Sequence, residues 1–396
     1  MSSTENTAPF SMRLDEDYSE IRDGVRRICA DYPGDYWRRL DQEEAYPSAF
    51  VQAMTQGGYL AALIPEEYGG AGLPLRAAGV ILEEVHASGG NASATHAQMY
   101  TMGTVLRHGS PAQKQQYLPE IAAGRLRLQA FGVTEPTAGS DTTRIETTAE
   151  RTADGYVVRG QKIWTSRALY SDLMLLLART TPLDQVARRT DGLSVFLVDM
   201  RAAVGNGMTI RPIKAMINHN TTEVFFDNLR IPAASLIGEE GRGFRYILDG
   251  MNAERILVSH ESIGDARWFT RTAVKYACER IVFDRPIGKN QGIQFPIARA
   301  YAQLQAADLM LRKAAAMFAA GLPCGEEANL SKLLSAECAW EAGEACMQTH
   351  GGFAYAREYD VERKWREARV QRTAPVSTNL ILAYIAEHVL GLPRSY

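Results

Sequence analysis

The sequence predicts an α+β protein in three parts: an N-terminal helical domain (1–127), a middle antiparallel β-barrel domain (128–237) and a C-terminal four-helix-bundle domain (238–396). Three observations carry this. From residue 12 to about 127 apolar residues recur at helical spacing. From Leu128 to Pro232 that period stops, and short β-rich runs separated by turn signals replace it. After Pro232 long stretches rich in Ala, Leu and Met resume the helical pattern.

In the first part, Leu14, Tyr18, Ile21, Val25 and Ile28 mark one helix face, with Asp15 and Asp17 at the end where the helix dipole favours negative charge. Pro33-Gly34 breaks that helix, Tyr46-Pro47-Ser48 opens the next, and Ile64 to Gly70 is a turn-rich connection before a helix over Ala77 to His86. Ser110 is placed to cap a helix that carries Pro111 at its first position. In the second part, Asp154-Gly155 is a hairpin signal between Thr147–Arg151 and Tyr156–Thr165. Further strands are expected over Asp172–Arg179, Leu193–Asp199, Met208–Lys214 and Thr222–Leu229, and so many short strands suit a closed or nearly closed antiparallel sheet. In the third part, Gly241 to Phe244 leads into a first helix. Others are expected over Ala266–Phe283, Phe295–Ala320, Asn329–Gly351 and Asn379–Leu390.

Composition narrows the function. With 396 residues, 46% hydrophobic and 22% charged, the chain is an ordinary globular protein with room for a large core. A net charge of −3 favours neither nucleic acid nor an anionic membrane as partner. Met1 to Ser11 lacks an apolar core of a signal peptide, and the longest apolar run, Leu173 to Ala178, is far too short to cross a bilayer, so a soluble, cytoplasmic protein is expected. The five cysteines form no CxxC pair, which suits a reducing compartment with each thiol a small buried hydrophobe. His86 and His96 lack a third ligand at useful spacing, so no metal site is expected. The charge-dense Asp360–Arg369 stretch reads as a solvated helix face in preference to a CoA-phosphate or subunit contact.

The most informative segment is Phe131-Gly-Val-Thr-Glu-Pro-Thr-Ala-Gly-Ser-Asp141. Its glycine, threonine and serine residues bring backbone N–H groups and hydroxyls close to one flat polar ligand. Read with Gln161-Lys-Ile-Trp-Thr-Ser166, it resembles the flavin-contacting core of the acyl-CoA dehydrogenase family, and the resemblance extends over nearly the whole chain. That resemblance implies the family's three-part fold and FAD as cofactor. Phe131, Val133, Thr134, Trp164 and Ser166 then touch the flavin, with Trp164 as its stacking wall. Ser140 lies near the cofactor–substrate boundary, and Phe244, Asn252 and Arg255 fall to the substrate side. Glu279-Arg-Ile-Val-Phe283 with Asn290-Gln291 is similar to the family's Arg…Phe…Gln pattern, and Gln348-Thr-His-Gly-Gly352 resembles its Gln-x-x-Gly-Gly segment. Arg280, Phe283, Gln291, Gln348, Gly351 and Gly352 would therefore serve the FAD of a neighbouring subunit, which implies a homotetramer or at least a dimer.

Oxidation of an acyl thioester needs a carboxylate near the α-hydrogen. Many members carry it in a C-terminal loop reading Tyr-Glu-Gly-Thr-Ser. Here that stretch is Thr373-Ala-Pro-Val-Ser-Thr-Asn379, with Pro375 at the glutamate position and no Asp or Glu between Ala368 and Tyr384. The isovaleryl and long-chain enzymes supply the base from a helix instead, and Glu254 stands at the matching position in Met251-Asn-Ala-Glu-Arg-Ile-Leu257. Burial beside an acyl chain would raise its pKa towards neutrality. Proline has no N–H, so the thioester site either loses one donor or takes it from Ala374 or Val376. The resemblance thus implies α,β-dehydrogenation of an acyl-CoA to the trans-2-enoyl-CoA, with electrons passed to an electron-transfer flavoprotein. A flavin oxidase or monooxygenase on the same scaffold, or a flavin-bearing nucleic-acid-binding protein, is the alternative; Glu254 argues against the first and the balanced charge against the second.

Overall fold

Apolar faces at helical spacing must be covered, and the N-terminal helices cover one another. A computed structural model describes residues 17–394, so Leu14 and Asp15 lie outside the described residues. The helices are α1 (Ser19–Ala30), α2 (Gly34–Glu43), α3 (Ser48–Gln56), α4 (Leu75–Ala87), α5 (Ser93–His108) and α6 (Pro111–Ala122). Asp17 stands just before α1, where its carboxylate accepts the Ser19 N–H at 3.1 Å. α6 opens as the sequence predicts: Ser110 Oγ accepts the Gln113 N–H at 3.2 Å, and Gln113 Oε1 accepts the Ser110 N–H at 2.9 Å. The Gln113 amide also donates to the carbonyls of Ala234 and Leu236, tying α6 to the rim of the sheet. Every residue of α4 is buried, because other helices enclose it.

Eight strands form one sheet: β1 (Leu128–Gly132), β2 (Thr148–Arg151), β3 (Gly155–Ser166), β4 (Leu173–Arg179), β5 (Leu193–Asp199), β6 (Met208–Pro212), β7 (Thr221–Pro232) and β8 (Leu236–Ile237). Their order is β6-β7-β3-β2-β4-β5-β8, with β1 beside β4. Arg151 faces Tyr156 across the expected hairpin at Asp154-Gly155. The antiparallel sheet expected from the sequence is present, with two parallel pairings within it. β1 runs parallel to β4, with Phe131 opposite Leu175, and β2 meets β4 in parallel at Thr148. The sheet also ends at β6 and β8. Neither β1 nor β2 is joined to β4 by a hairpin, so nothing in the connection imposes antiparallel pairing. A one-turn helix, α7 (Met200–Ala203), also interrupts the β region. The apolar run in β4 is explained by burial on both faces: Leu173, Leu175 and Leu177 enter one core, and Met174, Leu176 and Ala178 another.

The C-terminal part comprises α8 (Gly243–Glu279), a hairpin of β9 (Ile281–Val282) and β10 (Arg285–Pro286), α9 (Gln291–Ala319), α10 (Gly325–His350), α11 (Val361–Val370) and α12 (Thr378–Tyr384), the last running into a π turn over Ile385–Val389. The two helices expected between Gly241 and Phe283 are one 37-residue helix, and Ile281 to Phe283 belong to the hairpin. Polar residues Ser259, His260, Glu261, Ser262 and Asp265 erase the apolar period but are buried, so the helix continues through them. His260 meets Glu83 and Asp265 meets His86, both on α4, which crosses α8 at two glycines. A Cβ on Gly79 would stand 2.1 Å from His260, and one on Gly264 would stand 2.4 Å from the Glu83 carbonyl oxygen.

Two further expectations are corrected. The charged α11 is not a solvated face: Arg363, Lys364 and Glu367 are buried. Lys364 Nζ lies 2.5 Å from Asp265, and the Arg363 guanidinium donates to the Gly89 carbonyl at 2.8 Å and to Glu367 at 2.9 Å. The charges pair inside the protein, which sequence periodicity does not register. Of the five thiols, Cys278 is exposed while the other four are buried.

Candidate active site

The segment after β1 is held by a buried ion pair. Lys162, on β3, donates through Nζ to Glu135 Oε1 at 2.7 Å and to the Val133 carbonyl at 3.0 Å. Glu135 also accepts the N–H groups of Glu146 (2.6 Å) and Thr147 (2.9 Å), and the Ile163 N–H donates to the Thr134 carbonyl at 2.9 Å. Burial pushes the Lys162 ammonium down to about 8, while Glu135 opposes the shift. Burial works on Glu135 in the opposite sense, but the charge of Lys162 and the backbone donors outweigh it and hold the carboxyl below its usual range. The result is a fixed edge made of Val133, Thr134 and the end of β3.

At that edge the register of β3 against β7 slips between Lys162 and Thr165. Trp164 sits in the slip with φ 59° and its side chain is 58% exposed. A large aromatic held in the left-handed region and left uncovered suits a planar ligand. Ser166 Oγ is 3.4 Å from Thr221 Oγ1 on β7. Ser140 lies exposed in the loop that follows β1.

Glu254 comes from α8 and is 8% exposed. Its carboxylate makes no hydrogen bond or ion pair with a described residue. Burial raises its pKa, His96 and Arg255 oppose that rise, and Glu261 adds to it. Tyr100 lies on α5. Its ring is edge-on to His96 at 5.2 Å and to Phe131 at 5.6 Å. Burial, and then the charge of Glu254, raises its hydroxyl's pKa. Arg255 donates to Asn252 Oδ1 at 3.1 Å. Phe244 packs in the same apolar cluster as Phe131, Val133 and Met251. The residues predicted for flavin, base and substrate thus come from β1, β3 and α8, with α5 between them.

A buried polar chain runs from this site to the loop after α11. His96 Nδ1 lies 3.1 Å from Glu261, whose carboxylate is 3.9 Å from His86 Nε2. His86 Nδ1 is 2.9 Å from Asp265, which also meets Lys364 and accepts from the Gln371 amide at 3.0 Å. Lys332 Nζ donates to the carbonyls of Gln371 (2.5 Å) and Val376 (2.8 Å), and burial pushes it down to about 8. The loop around Pro375 is therefore tethered from below. Of the two alternative donors beside Pro375, the Ala374 N–H is engaged by the Val370 carbonyl at 2.8 Å. The Val376 N–H makes no hydrogen bond to a described residue.

The remaining predicted cofactor residues gather elsewhere. Arg280 caps the end of α8 with its guanidinium 5.6 Å from the Phe353 ring. Phe283 tops the β9–β10 hairpin at 93% exposure, Gln291 begins α9, and Gln348, Gly351 and Gly352 stand exposed at the end of α10. A Cβ on Gly351 or Gly352 would meet nothing within 4 Å, so both backbones stay open to close approach.

Family profiles described as the N-terminal, middle and C-terminal domains of acyl-CoA dehydrogenase match residues 15–125, 130–229 and 241–390. The chain belongs to the acyl-CoA dehydrogenase family. Members of that family are FAD-dependent oxidoreductases acting on acyl-CoA. Acyl-CoA dehydrogenase FadE12 of Mycobacterium tuberculosis is 31% identical over 386 residues, spanning 96% of this chain and 98% of its own. The mitochondrial short-chain specific acyl-CoA dehydrogenase of Mus musculus is 31% identical, spanning 98% of this chain and 94% of its own. Among solved structures, a glutaryl-coenzyme A dehydrogenase with glutaryl-CoA superimposes with a TM-score of 0.89 at 28% identity, covering 98% of each chain.

Some residues of this acyl-CoA dehydrogenase family member escaped sequence reasoning. Lys162 and Glu135 both stand inside the two informative segments, but only the fold reveals that they pair. Tyr100 carries no motif. Arg167 directly follows Ser166, and its burial is invisible in a sequence.

Proposed function

We propose that the protein is an FAD-dependent acyl-CoA dehydrogenase in which Glu254 removes the α-proton of an acyl thioester. The observation that carries this reading is the Glu254 carboxylate, buried on α8 and making no hydrogen bond or ion pair with a described residue. The cofactor fits the residues present. The uncovered Trp164 face offers a wall, the tethered Val133–Thr134 backbone offers an edge, and the open Gly351-Gly352 backbone suits a diphosphate approaching from a second subunit. Arg280, Phe283, Gln291 and Gln348 join that second set, and the assembly we infer is a homotetramer.

When bound, FAD supplies the acceptor for the β-hydride. The protein supplies the rest. Glu254, ionised, accepts the proton from the α-carbon; its raised pKa keeps it a competent base near neutral pH. The Val376 N–H, left free while Ala374 is engaged, donates to the thioester oxygen and stabilises charge developing there. Lys332, gripping the Val376 carbonyl, holds that peptide in place. Phe131 and Phe244 exclude water, Asn252 and Arg255 border the substrate, and Ser140 covers the boundary with the cofactor. The product is a trans-2-enoyl-CoA, and the electrons leave to an electron-transfer flavoprotein.

The test is an anaerobic acyl-CoA panel scored by bleaching of the flavin. Bleaching by at least one thioester, with the matching enoyl-CoA as product, is expected. A flavoprotein that no acyl-CoA reduces would remove the proposal.

A further inference from the structure

Lys332 reaches up from α10 and is fully buried, yet it makes no ion pair with a described residue. Its Nζ donates instead to two backbone carbonyls, that of Gln371 at 2.5 Å and that of Val376 at 2.8 Å. The charges that act on it have its own sign: burial depresses its pKa most, followed by Arg255 and Arg372. Arg372 directly follows Gln371, and Arg255 directly follows Glu254. A buried ammonium without a counter-ion costs stability, and two carbonyl dipoles offset only part of that cost. The carbonyls need donors; they do not need a full positive charge.

The two carbonyls lie on either side of Pro375. Before it, the Ala374 N–H is taken by the Val370 carbonyl at 2.8 Å. The Gln371 side chain accepts from the Ser262 hydroxyl at 2.8 Å and donates to Asp265 at 3.0 Å. After it, Lys332 holds the Val376 carbonyl, and the Ser377 hydroxyl accepts the Leu380 N–H at 3.3 Å where α12 begins. Between these anchors stands the Pro375–Val376 peptide. The proline ring fixes its own φ and carries no N–H. The donor of that peptide, the Val376 N–H, makes no hydrogen bond to a described residue. A free N–H is thus pinned from both sides, with an unpaired cation on the carbonyl of its own residue.

We propose that Lys332 is a positioning residue for the reaction: it holds the Val376 N–H towards the thioester oxygen, and its unpaired charge favours the negative charge that grows there as the α-proton leaves. The inference rests on the dehydrogenase reading above and adds to it a cation beneath a loop that Pro375 deprives of one donor. The proton still goes to Glu254, and Lys332 neither gives nor takes one. A fixed positive charge acts more strongly on a developing anion than on a neutral ground state, so its effect belongs to the rate of reduction more than to binding.

The experiment uses the FAD-loaded native protein, Lys332→Met and Lys332→Gln. The infrared probe is crotonyl-CoA carrying carbon-13 at its thioester carbonyl, and the kinetic probe is the acyl-CoA that bleaches the native flavin fastest. On the native protein the carbonyl band of bound crotonyl-CoA should lie below that of the free thioester. Lys332→Met should return the band towards its free position. It should also slow flavin reduction by about 10²-fold, the order of one donor aimed at a developing oxyanion, with the dissociation constant little changed. Lys332→Gln, which keeps N–H donors for the carbonyls without the charge, should recover only part of the rate. The proposal is overturned if the native band is not lowered, a result that needs no variant. It is equally overturned if Lys332→Met loses thermal stability but keeps the native band and rate, as a purely structural lysine would, or if Lys332→Gln reduces at the native rate. If crotonyl-CoA binds and no acyl-CoA reduces the flavin, the dehydrogenase reading fails on its own, and the band still decides the role of Lys332.

Discussion

Lys162 Nζ lies 2.7 Å from Glu135 Oε1, with both side chains buried, and this pair joins the informative loop to the Trp164 strand. Because Lys162 also grips the Val133 carbonyl, the polar edge proposed for the cofactor depends on a charge that solvent does not reach.

Lys162→Met should therefore cost about 3–5 kcal/mol, since it leaves Glu135 as an unpaired buried charge. The double variant Lys162→Met with Glu135→Gln should recover much of that loss. Denaturant unfolding of the three proteins, with FAD retention measured alongside, checks it. Equal stability of native protein and single variant would contradict it.

The chain through Asp265 and Lys364 makes a parallel case. Lys364→Met should destabilise by a similar amount, about 3–5 kcal/mol. Removing the exposed pair Arg188–Asp191, 3.3 Å apart, should stay within about 0.5 kcal/mol. Thermal unfolding of both variants measures the contrast, and comparable losses would show that burial of α11 has been misjudged.

The pH dependence has a defined sign. Burial raises the Glu254 pKa from its ordinary value, and only an ionised carboxylate can serve as the proposed base. Flavin reduction should rise with pH through that elevated value and then level off. The raised folded-state pKa also means that this group's contribution to stability is present below its unfolded pKa and is lost as pH rises through the folded one. The His96 charge opposes the shift, so His96→Asn should move the acid limb to higher pH. Stopped-flow reduction across pH tests this; a limb at the usual carboxylate position, or one moving downward, contradicts it.

Arg280 caps α8 on an exposed surface with Phe283 and Gln291 on the hairpin and helix that follow. If it reaches a second subunit's cofactor, Arg280→Ala should weaken FAD affinity by about tenfold or more, the worth of a hydrogen bond to a charged group. FAD titration, with sedimentation at the same protein concentration, tests this. Unchanged affinity, or a monomer that keeps its FAD, rules it out.

Much of the fold was legible because local chemistry announces it. Ser110-Pro111 capped a helix, Asp154-Gly155 turned a hairpin, and the strand over Leu193–Asp199 stood where its β-rich run put it. What escaped was tertiary. The polar residues of α8 and α11 read as breaks or solvated faces because their partners sit on other helices: His260 meets Glu83 at 3.0 Å and Lys364 meets Asp265 at 2.5 Å. Parallel pairing of β1 with β4 joins strands that no hairpin connects, so no turn residue announces it. At the site, Glu254 was marked as a candidate by its motif and by the missing carboxylate in the C-terminal loop. Arg167 was not, because a lone arginine after a serine gives no sign of its burial.

The central claim is that Glu254 is the base. The most direct measurement is anaerobic rapid mixing of FAD-loaded native protein and Glu254→Gln with the thioester that reduces the native protein fastest, following the visible absorbance of the flavin. The amide keeps the shape and removes the base, so the variant should retain FAD and bind the thioester while reduction slows by about 10²–10⁴-fold. Reduction of Glu254→Gln at the native rate, with FAD and thioester bound, would contradict the account.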